Sequence, residues 1–227
     1  MKLTRQIELA KSIVVLGIGG FGREALDVIQ EMISVGRSDW EIAGAADSNA
    51  SAENLQRLSA RGVPFLGTEA ELLRSTNPSY YIIGIGNPES RALAAARFDD
   101  AGWMPAIAIH PSATVGSESV IAPGTVICSG VQISTNVSIA RHVHVNPNAI
   151  IGHDARISEF VSINPGAIVS GSVQVGRRAL LGAGSIILQG LRVQDMALVG
   201  AGACVTREVG AGTTVVGIPA RILEGQK

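Results

Sequence analysis

The chain has 227 residues, a length that fits one large domain or two small ones. Its 18 Lys and Arg residues nearly balance its 19 Asp and Glu residues, so the net charge of -1 provides no basic surface for nucleic acid or for an anionic membrane. Only 4% of the residues are aromatic and 16% are charged, against 46% hydrophobic residues and 27 glycines. We therefore expect a core that is not organised by aromatic packing.

The first segment predicts a strand, a glycine turn and a helix. Residues 12–17 form an aliphatic run that leads into Gly17-Ile18-Gly19-Gly20-Phe21-Gly22. Residues 23–33 then carry apolar side chains at helical spacing. The apolar stretch 13–20 is too short to span a bilayer and follows a polar segment of mixed charge, so we expect a cytoplasmic protein that does not bind membranes.

Strands and helices continue to alternate through the first hundred residues. Further strands are predicted at 41–46 and 80–85, and further helices at 53–60, 68–75 and 89–101. This alternation indicates a small α/β domain of the Rossmann type with a parallel sheet. The composition changes near residues 105–111, so we assign one domain to residues 1–105 and a second to residues 106–227.

The glycine turn matches a phosphate-binding fingerprint. Gly17-x-Gly19-x-x-Gly22 lies between a strand and a helix, and Asp47 ends the next predicted strand. Glycines let a phosphate approach the backbone and reach the N–H groups at the start of the helix. Because the domain is too short for both halves of a dinucleotide fold, a single nucleotide or a nucleotide sugar is favoured over NAD. A tight turn without a ligand stays open as the alternative.

The second half of the chain has a period of six. From Ile109 to Val205 an aliphatic residue recurs at every sixth position, over 16 intervals without a miss. A second position, four residues further in each hexad, holds small or aliphatic side chains. Helices and alternating strands do not produce this period, whereas a parallel β-helix does. Three hexads would close one triangular coil, so residues 18 apart should stack about 4.8 Å from each other.

The cysteines and most of the histidines carry weak functional signals. Cys128 and Cys204 lie 76 positions apart without a metal-binding spacing, and we expect buried, reduced thiols and no bound metal. His142, His144 and His153 occupy different positions of their hexads. They need not face one point within a chain, although a three-histidine metal site at a subunit boundary remains an alternative.

The pair His153-Asp154 is the strongest candidate for catalysis. It places a carboxylate beside an imidazole on an edge of an otherwise aliphatic prism. A histidine with a carboxylate partner is suited to act as a general base near neutral pH. A solvated surface histidine is the alternative at this point.

Five segments that span nearly the whole chain carry a resemblance to one family. The segments are Gly17-Ile18-Gly19-Gly20-Phe21-Gly22, Ala46-Asp47, Ile85-Gly86-Asn87 with Arg91, Ile151-Gly152-His153-Asp154 and Val216-Gly217-Ile218-Pro219-Ala220. Together they are similar to the sialic acid O-acetyltransferase and nucleotide-sugar N-acetyltransferase family, whose members are left-handed β-helix acyltransferases built from hexapeptide repeats. The resemblance implies a homotrimer, acetyl-CoA in the groove between neighbouring β-helices, and a sugar held by the N-terminal domain.

The resemblance also implies roles for individual residues. His153 would be the general base of a direct transfer, and Asp154 would orient it and raise its basicity. The phosphates of the nucleotide sugar would contact Gly19, Gly20 and Phe21. Its base would contact Asp47, and Gly86 and Asn87 would close the same pocket. Acetyl-CoA would run past Ser162, Gly171, Ala183 and Ala201.

The chain departs from the family pattern at three positions. Phe21 and Ser162 stand where family members often carry histidine, and Asp154 stands in place of a glutamate. His144 lies 18 residues before Ser162, one coil away on the same edge. We therefore predict that His144 takes over the missing contact to acetyl-CoA or to the acceptor.

The favoured function is N-acetylation of a nucleotide-activated aminosugar, with acetyl-CoA as the donor, for surface-glycan synthesis. The alternatives are O-acetylation of sialic acid or another free sugar, a non-catalytic β-helix scaffold, and an NAD-dependent oxidoreductase. The aliphatic cluster of Val143, Val145, Ile150 and Ile151 is expected to be covered by something. A closed three-fold assembly would cover it.

Overall fold

The computed structural model describes residues 11–75 and 77–223. These residues form a small α/β unit with a parallel sheet, followed by a left-handed β-helix, which confirms the predicted fold class. The first ten and the last four residues of the two predicted domain ranges lie outside the described residues.

The α/β unit has one four-stranded parallel sheet in the order β2-β1-β3-β4. Its central strand β1 carries four residues that are at most 3% exposed, from Ile13 to Leu16. Such a continuous apolar run is typical of a parallel sheet that is covered on both faces. The elements are β1 (Lys11–Leu16), α1 (Gly20–Ser34), β2 (Trp40–Ala46), α2 (Ala52–Ser59), α3 (Glu69–Ser75), β3 (Tyr80–Ile83), α4 (Pro88–Asp100) and β4 (Met104–Pro105).

Two boundaries differ from the sequence prediction by more than one residue. Helix α1 begins at Gly20, three residues earlier than predicted, because the glycine turn itself forms the first turn of the helix. Strand β3 ends at Ile83 rather than at residue 85. The chain turns away there because Gly84 packs against the backbone of Gly22.

The β-helix is built from two-residue strands that stack with a spacing of 18 residues, as predicted. His144, for example, pairs with Ser162, and Ser162 pairs with Leu180. The strands form three faces of five, eight and six strands. The coil strands are β5 (Ala108–Ile109), β6 (Thr114–Val115), β7 (Val120–Ile121), β8 (Val126–Ile127), β9 (Gln132–Ile133), β10 (Ser138–Ile139), β11 (His144–Val145), β12 (Ile150–Ile151), β13 (Arg156–Ile157), β14 (Ser162–Ile163), β15 (Ile168–Val169), β16 (Gln174–Val175), β17 (Leu180–Leu181), β18 (Ile186–Ile187), β19 (Arg192–Val193), β20 (Leu198–Val199) and β21 (Cys204–Val205).

The repeating aliphatic residues fill the interior of the prism. From Ile127 to Val205 each of them is at most 3% exposed. Of the three earlier members of the series, Ile109 and Ile121 are partly buried, and the most exposed is Val115, at 42%. It lies on β6, the edge strand of the six-stranded face, so no neighbouring coil covers it.

The corners of the prism share one backbone conformation. Among the residues that the structure describes, nine other than glycine have positive φ between 56° and 61°, and each takes the fourth position of a hexad. This left-handed conformation explains why Asn, Asp and Gly recur at these turns. The nine residues are Glu118, Asn136, His142, Asn148, Asp154, Phe160, Ser172, Arg178 and Met196.

The α/β unit sits on the eight-stranded face. The outward residues Ala108, Val126, His144 and Ser162 of this face are at most 3% exposed, whereas Leu198 further along is 38% exposed. Helix α1 shares a hydrophobic core with the first of these coils. At the other end, β22 (Thr214–Val216) continues the face and β23 (Arg221–Ile222) pairs with it antiparallel.

The two cysteines differ in their burial. Cys128 is buried, which raises the pKa of its thiol to about 12, and Cys204 is half-buried. Neither cysteine forms a disulfide. Within residues 11–75 and 77–223, no helix combines the length and apolar character needed to cross a membrane.

Candidate functional site

The glycine loop is packed against the end of β3. A Cβ atom on Gly22 would lie 2.0 Å from the carbonyl oxygen of Gly17, and one on Gly84 would lie 2.4 Å from Cα of Gly22. Gly22 and Gly84 are therefore required by backbone packing, and Gly17 has a positive φ of 90° that favours glycine. Gly19 and Gly20 have open space where a Cβ would be, so they face outward from the loop.

A cavity of about 430 Å³ lies above this loop. Five of the six residues predicted to bind the sugar nucleotide line it, namely Gly19, Gly20, Phe21, Asp47 and Gly86. Helix α1 begins at its wall, and the first intrahelical bond of that helix runs from Arg23 to Gly19 (3.2 Å). The N–H groups of the preceding turn have no helical partner, a setting that favours an anion.

Asp47 holds the glycine loop. One of its carboxylate oxygens, Oδ2, accepts the N–H of Ile18 at 2.9 Å, and Oδ1 accepts the N–H of Asn49 at 2.7 Å. The carboxylate thus ties the end of β2 to the loop that follows β1. A contact to a nucleobase, predicted for Asp47, would be additional to this structural role.

The sequence reading missed three polar residues of the cavity, Asn49, Glu69 and Ser90. Glu69 is only 7% exposed, and its carboxylate is hydrogen-bonded by the hydroxyl of Ser48. It is the first residue of α3, where an acidic residue is ordinary, so its sequence position gave no signal. Ser90 lies in the first turn of α4 and likewise has an ordinary position.

Asn87 lies beside the cavity rather than in its lining. Its side-chain oxygen accepts the backbone N–H of Ser90 at 2.9 Å, so it caps helix α4. Asn87 also lines a separate groove of about 230 Å³ with Met196 and Leu198 of the β-helix. Its side chain therefore has a structural role, whatever its backbone contributes to the cavity.

Arg91 joins the cavity wall to the β-helix. It is fully buried, and its Nη1 donates to the carbonyl oxygens of Ile85 (2.9 Å) and Gly86 (3.0 Å). Its other donors reach two successive coils. They contact the carbonyl of His142 at 3.0 Å, those of Phe160 and Val161 at 2.7 and 3.3 Å, and the hydroxyl of Ser162 at 2.9 Å.

No carboxylate is hydrogen-bonded to Arg91 among the described residues. Burial lowers the pKa of this guanidinium to about 9, which still leaves it charged at neutral pH. Its charge is therefore balanced by the carbonyl dipoles of three chain segments. Breaking such a set leaves several buried acceptors unpaired.

His144 and Ser162 are enclosed by this junction. His144 is 1% exposed, its ring stacks on Phe21 with a centroid distance of 4.0 Å, and its Nδ1 accepts from Arg91 at 3.1 Å. Burial, reinforced by the charge of Arg91, holds the pKa of His144 well below its usual value. Ser162 is 3% exposed and donates to the carbonyl of Gly86 at 3.3 Å.

The burial of His144 and Ser162 argues against their predicted contact with acetyl-CoA. The prediction placed both side chains on a free edge of the prism, and their positions in the hexads are outward-facing. The α/β unit of the same chain covers that face, however, so neither side chain reaches solvent. Both residues instead link the cavity wall to the coils.

His142 is a second buried histidine at the junction. Its ring is parallel to that of Phe160 at 5.2 Å and lies 6.0 Å from that of Tyr81. Neither ring nitrogen has a hydrogen-bond partner, and burial lowers the pKa of His142 to about 4. Because His142 and His144 are covered by their own chain, they cannot form a metal site with His153 at a subunit boundary.

His153 and Asp154 form a pair on an exposed edge. Nδ1 of His153 lies 2.7 Å from Oδ2 of Asp154, and both side chains are 51% exposed. Because the carboxylate accepts, Nδ1 donates and Nε2 is left free to take a proton. The hydrogen bond from His153, with a weaker one from Asn136, lowers the pKa of Asp154 below its usual value.

Gly171 supports the imidazole from the next coil. A Cβ atom on this residue would lie 2.6 Å from two atoms of the His153 ring, so the ring rests on the glycine backbone. The sequence reading assigned Gly171 to acetyl-CoA. The structure shows a different contact, in which the backbone of Gly171 supports the ring of His153.

The predicted donor-binding residues lie on two edges of the prism. His153 and Gly171 follow strands of the six-stranded face, at the edge where that face ends. Ala183 and Ala201 are exposed and follow strands of the eight-stranded face, at the edge where the six-stranded face begins. One chain therefore does not bring these residues together.

The N-terminal unit matches a known family model. Residues 12–98 match the PglD N-terminal domain. The chain has no match among curated protein sequences.

Several solved structures are similar to the chain over nearly its full length. A mutant perosamine N-acetyltransferase from Caulobacter crescentus, solved with CoA and GDP-perosamine, is 28% identical, with 94% of this chain and 97% of that chain covered and a TM-score of 0.83. The acetyltransferase domain of PglB from Neisseria gonorrhoeae is 26% identical, with coverage of 94% and 100% and a TM-score of 0.83. WeeI from Acinetobacter baumannii is 26% identical, with coverage of 93% and 99% and a TM-score of 0.81.

Proposed function

We propose that this chain, which belongs to the left-handed β-helix sugar acetyltransferase family, N-acetylates a nucleotide-linked aminosugar with acetyl-CoA as the donor. The observation that carries the proposal is the exposed His153–Asp154 pair, with its 2.7 Å hydrogen bond and its free Nε2. The similarity to an N-acetyltransferase solved with CoA and GDP-perosamine supports the choice of donor and acceptor class.

In the proposed reaction the acceptor amine attacks the thioester carbonyl of acetyl-CoA. Nε2 of His153 takes a proton from the amine as the C–N bond forms. The C–S bond then breaks, and the proton passes to the leaving thiolate, so that N-acetyl sugar and CoA are released. Asp154 keeps Nδ1 protonated and stabilises the imidazolium that forms between the two steps.

The cavity at the glycine loop is proposed to hold the nucleotide. Its volume of about 430 Å³ is within the range of small-molecule sites, which is about 300 to 1,000 Å³. The N-terminus of α1 and the open side of Gly19 and Gly20 suit a diphosphate. The carboxylates of Asp47 and Glu69 can accept hydrogen bonds from ribose hydroxyls or from a base.

A homotrimer is proposed to complete the active site. Ile150, Ile168 and Ile186 form an in-register column on the outside of the six-stranded face, and Ile150 and Ile186 are 41% and 37% exposed. The sequence predicted that Val143, Val145, Ile150 and Ile151 form an aliphatic cluster in need of a cover. This prediction was wrong for three of them, because Val143, Val145 and Ile151 lie inside the prism. The exposed aliphatic row on the six-stranded face is therefore this column.

Three copies that meet at this column would join the two separate edges. The edge with His153 and the edge with Ala183 and Ala201 border the six-stranded face on opposite sides. In a closed three-fold arrangement, the first edge of one copy meets the second edge of the next. Acetyl-CoA would lie between them, and the cavity of the second copy would present the acceptor amine.

The catalytic role of His153 is tested by His153→Ala. We expect kcat to fall by about 10² to 10⁴, because a positioned general base typically contributes that much. The assay uses acetyl-CoA with 4-amino sugars linked to UDP, dTDP or GDP, and free sialic acid as the competing acceptor. His110→Ala, which removes a histidine outside the cavity and the exposed pair, is the control. Wild-type rates in His153→Ala would exclude the mechanism.

A further inference from the structure

Arg91 turns two consecutive peptide groups in the same direction. Its Nη1 donates to the carbonyl oxygens of Ile85 and Gly86 at 2.9 and 3.0 Å. In an extended strand, successive carbonyls point to opposite sides. Here both point to one buried nitrogen, so the backbone between Ile85 and Asn87 has a conformation that the guanidinium fixes.

The amide hydrogens of these two peptides must point the other way. In a planar trans peptide the N–H is directed opposite to the C=O. The N–H groups of Gly86 and Asn87 therefore point away from Arg91, and neither donates to an acceptor among the described residues. Ile85 and Gly86 line the cavity, and a Cβ on Gly86 would meet open space.

We infer that Arg91 is a positioning residue for the acceptor, which holds the amide of Gly86 in the cavity lining and that of Asn87 beside it as donors for the diphosphate of a nucleotide. Successive amides turned to one side form a concave anion site. They would act together with the N–H groups at the start of α1, which border the same cavity. This inference rests on the proposed function and names the part of its substrate that Arg91 serves.

The remaining contacts of Arg91 explain why an arginine is needed. Its other donors are fixed by Phe160, Ser162 and the carbonyl of His142, so the nitrogen that holds the loop cannot move. A lysine has one charged nitrogen and cannot span the loop and two coils at once. The two carboxylates of the cavity do not hold the backbone of residues 85–87, because they have other partners. Asp47 accepts from the backbone and Glu69 from Ser48.

The matched pair Asn87→Pro and Asn87→Ala tests the amide directly. Both variants lose the side-chain cap of α4, but only proline also removes the N–H. The backbone of Asn87, with φ of -68° and ψ of 122°, suits proline, and Asn87 already precedes Pro88. Any difference in diphosphate affinity between the two variants therefore measures the contribution of the backbone N–H group at residue 87.

Binding is measured by calorimetry with UDP, GDP and dTDP, each beside its nucleoside. We expect the Kd of the bound diphosphate to be about 10- to 100-fold higher for Asn87→Pro than for Asn87→Ala, because one hydrogen bond to a charged group is lost. The Kd of the nucleoside should be equal in both. Equal diphosphate affinities would overturn the inference and leave the acetyl transfer untouched.

Arg91→Lys provides the second measurement. We expect it to weaken diphosphate binding about 10-fold or more while the KM of acetyl-CoA and the affinity for the nucleoside stay unchanged. A merely structural role would affect all three quantities together, and that outcome would overturn the inference. If the wild-type chain binds none of the three diphosphates, both the inference and the nucleotide-linked acceptor are wrong.

Discussion

At the scale of single residues, the orientation of His153 depends on the lack of a side chain at Gly171. The imidazole rests on Gly171, where any side chain would collide with the ring, and it is held by Asp154 from the side. Asp154 itself has a positive φ of 61°, a conformation in which Asp is among the few tolerated residues. The three residues therefore form one unit in which the base, its partner and its support have separate roles.

Gly171→Ala is expected to reduce kcat by about 10- to 100-fold. The added Cβ must displace the His153 ring, and misplacement of about 1 Å can cost on the order of 10²-fold in rate. Steady-state kinetics with the best acceptor would measure this change. The reduction should appear with the fold and the proposed trimer retained, since the half-exposed His153 ring can move into solvent.

Gly212→Ala serves as the control for Gly171→Ala. Gly212 has a positive φ of 64° and open space around a Cβ, so alanine there adds backbone strain but touches no catalytic group. We expect lower stability and an unchanged kcat. A Gly171→Ala enzyme as active as Gly212→Ala would show that the ring does not depend on this support.

At the scale of elements, the three faces of the β-helix have different surfaces. The eight-stranded face is covered by the α/β unit, and the five-stranded face is polar, with Arg156, Gln174 and Arg192 in register. The six-stranded face carries the isoleucine column instead. The eight-stranded face also exposes Leu198 beyond the α/β unit, but the six-stranded face carries three isoleucines in register for contact with another copy.

Ile186→Arg is expected to abolish the trimer. Three guanidinium groups would meet near the three-fold axis in place of apolar side chains, and unpaired charges in an interface are strongly unfavourable. Sedimentation equilibrium would report the mass. Gln174→Arg, which adds the same charge to the polar face, should leave the assembly intact. A wild-type chain that sediments as a monomer would contradict the proposed assembly.

Much of this architecture is predictable because it repeats. The period of six fixes the coils, the 18-residue register and the inward residues, and the glycine fingerprint predicts the strand, turn and helix around Gly17. The junction between the two units is different. Arg91 binds mainly carbonyl oxygens, which every residue possesses, so no side-chain pattern around Phe160 or Val161 signals the contact.

The same limit explains the position of His144. Within the repeat it occupies an outward-facing position, from which the sequence predicts a contact in the groove. Its burial results from a different part of the chain, whose docking surface is not periodic. Sequence reasoning thus located the residue within its coil but could not assign its neighbours.

At the scale of the whole molecule, the junction makes stability depend on pH. His142 has a pKa of about 4 in the folded chain, because burial and the charges of Arg141 and Arg91 outweigh the attraction of Asp99. In the unfolded chain its pKa is about 6.5. Below pH 6.5 the unfolded chain therefore binds a proton that the folded chain does not, and stability falls as the pH falls towards 4.

His142→Phe is expected to remove the part of this acid sensitivity that His142 contributes, while the buried His144 keeps its own part. Between pH 7.5 and 5 the wild type should lose about 2 kcal/mol of unfolding free energy through His142, and the variant should not. Phenylalanine has a similar shape and is already present at the stacked position Phe160, which has the same left-handed backbone. Urea denaturation at both pH values and one protein concentration measures the difference. Equal losses in the two proteins would contradict this role of His142.

The α/β unit covers the eight-stranded face only as far as Ser162, and the same face is progressively uncovered at Leu180 and Leu198. Each coil of a solenoid contacts only its neighbours. The number of coils beyond Leu198 is consequently independent of the junction. Insertion or deletion of a whole 18-residue unit there would lengthen or shorten the prism while the cavity and the Arg91 contacts kept their geometry. The architecture thus separates a part whose dimensions are fixed from a part whose length is free to vary in evolution.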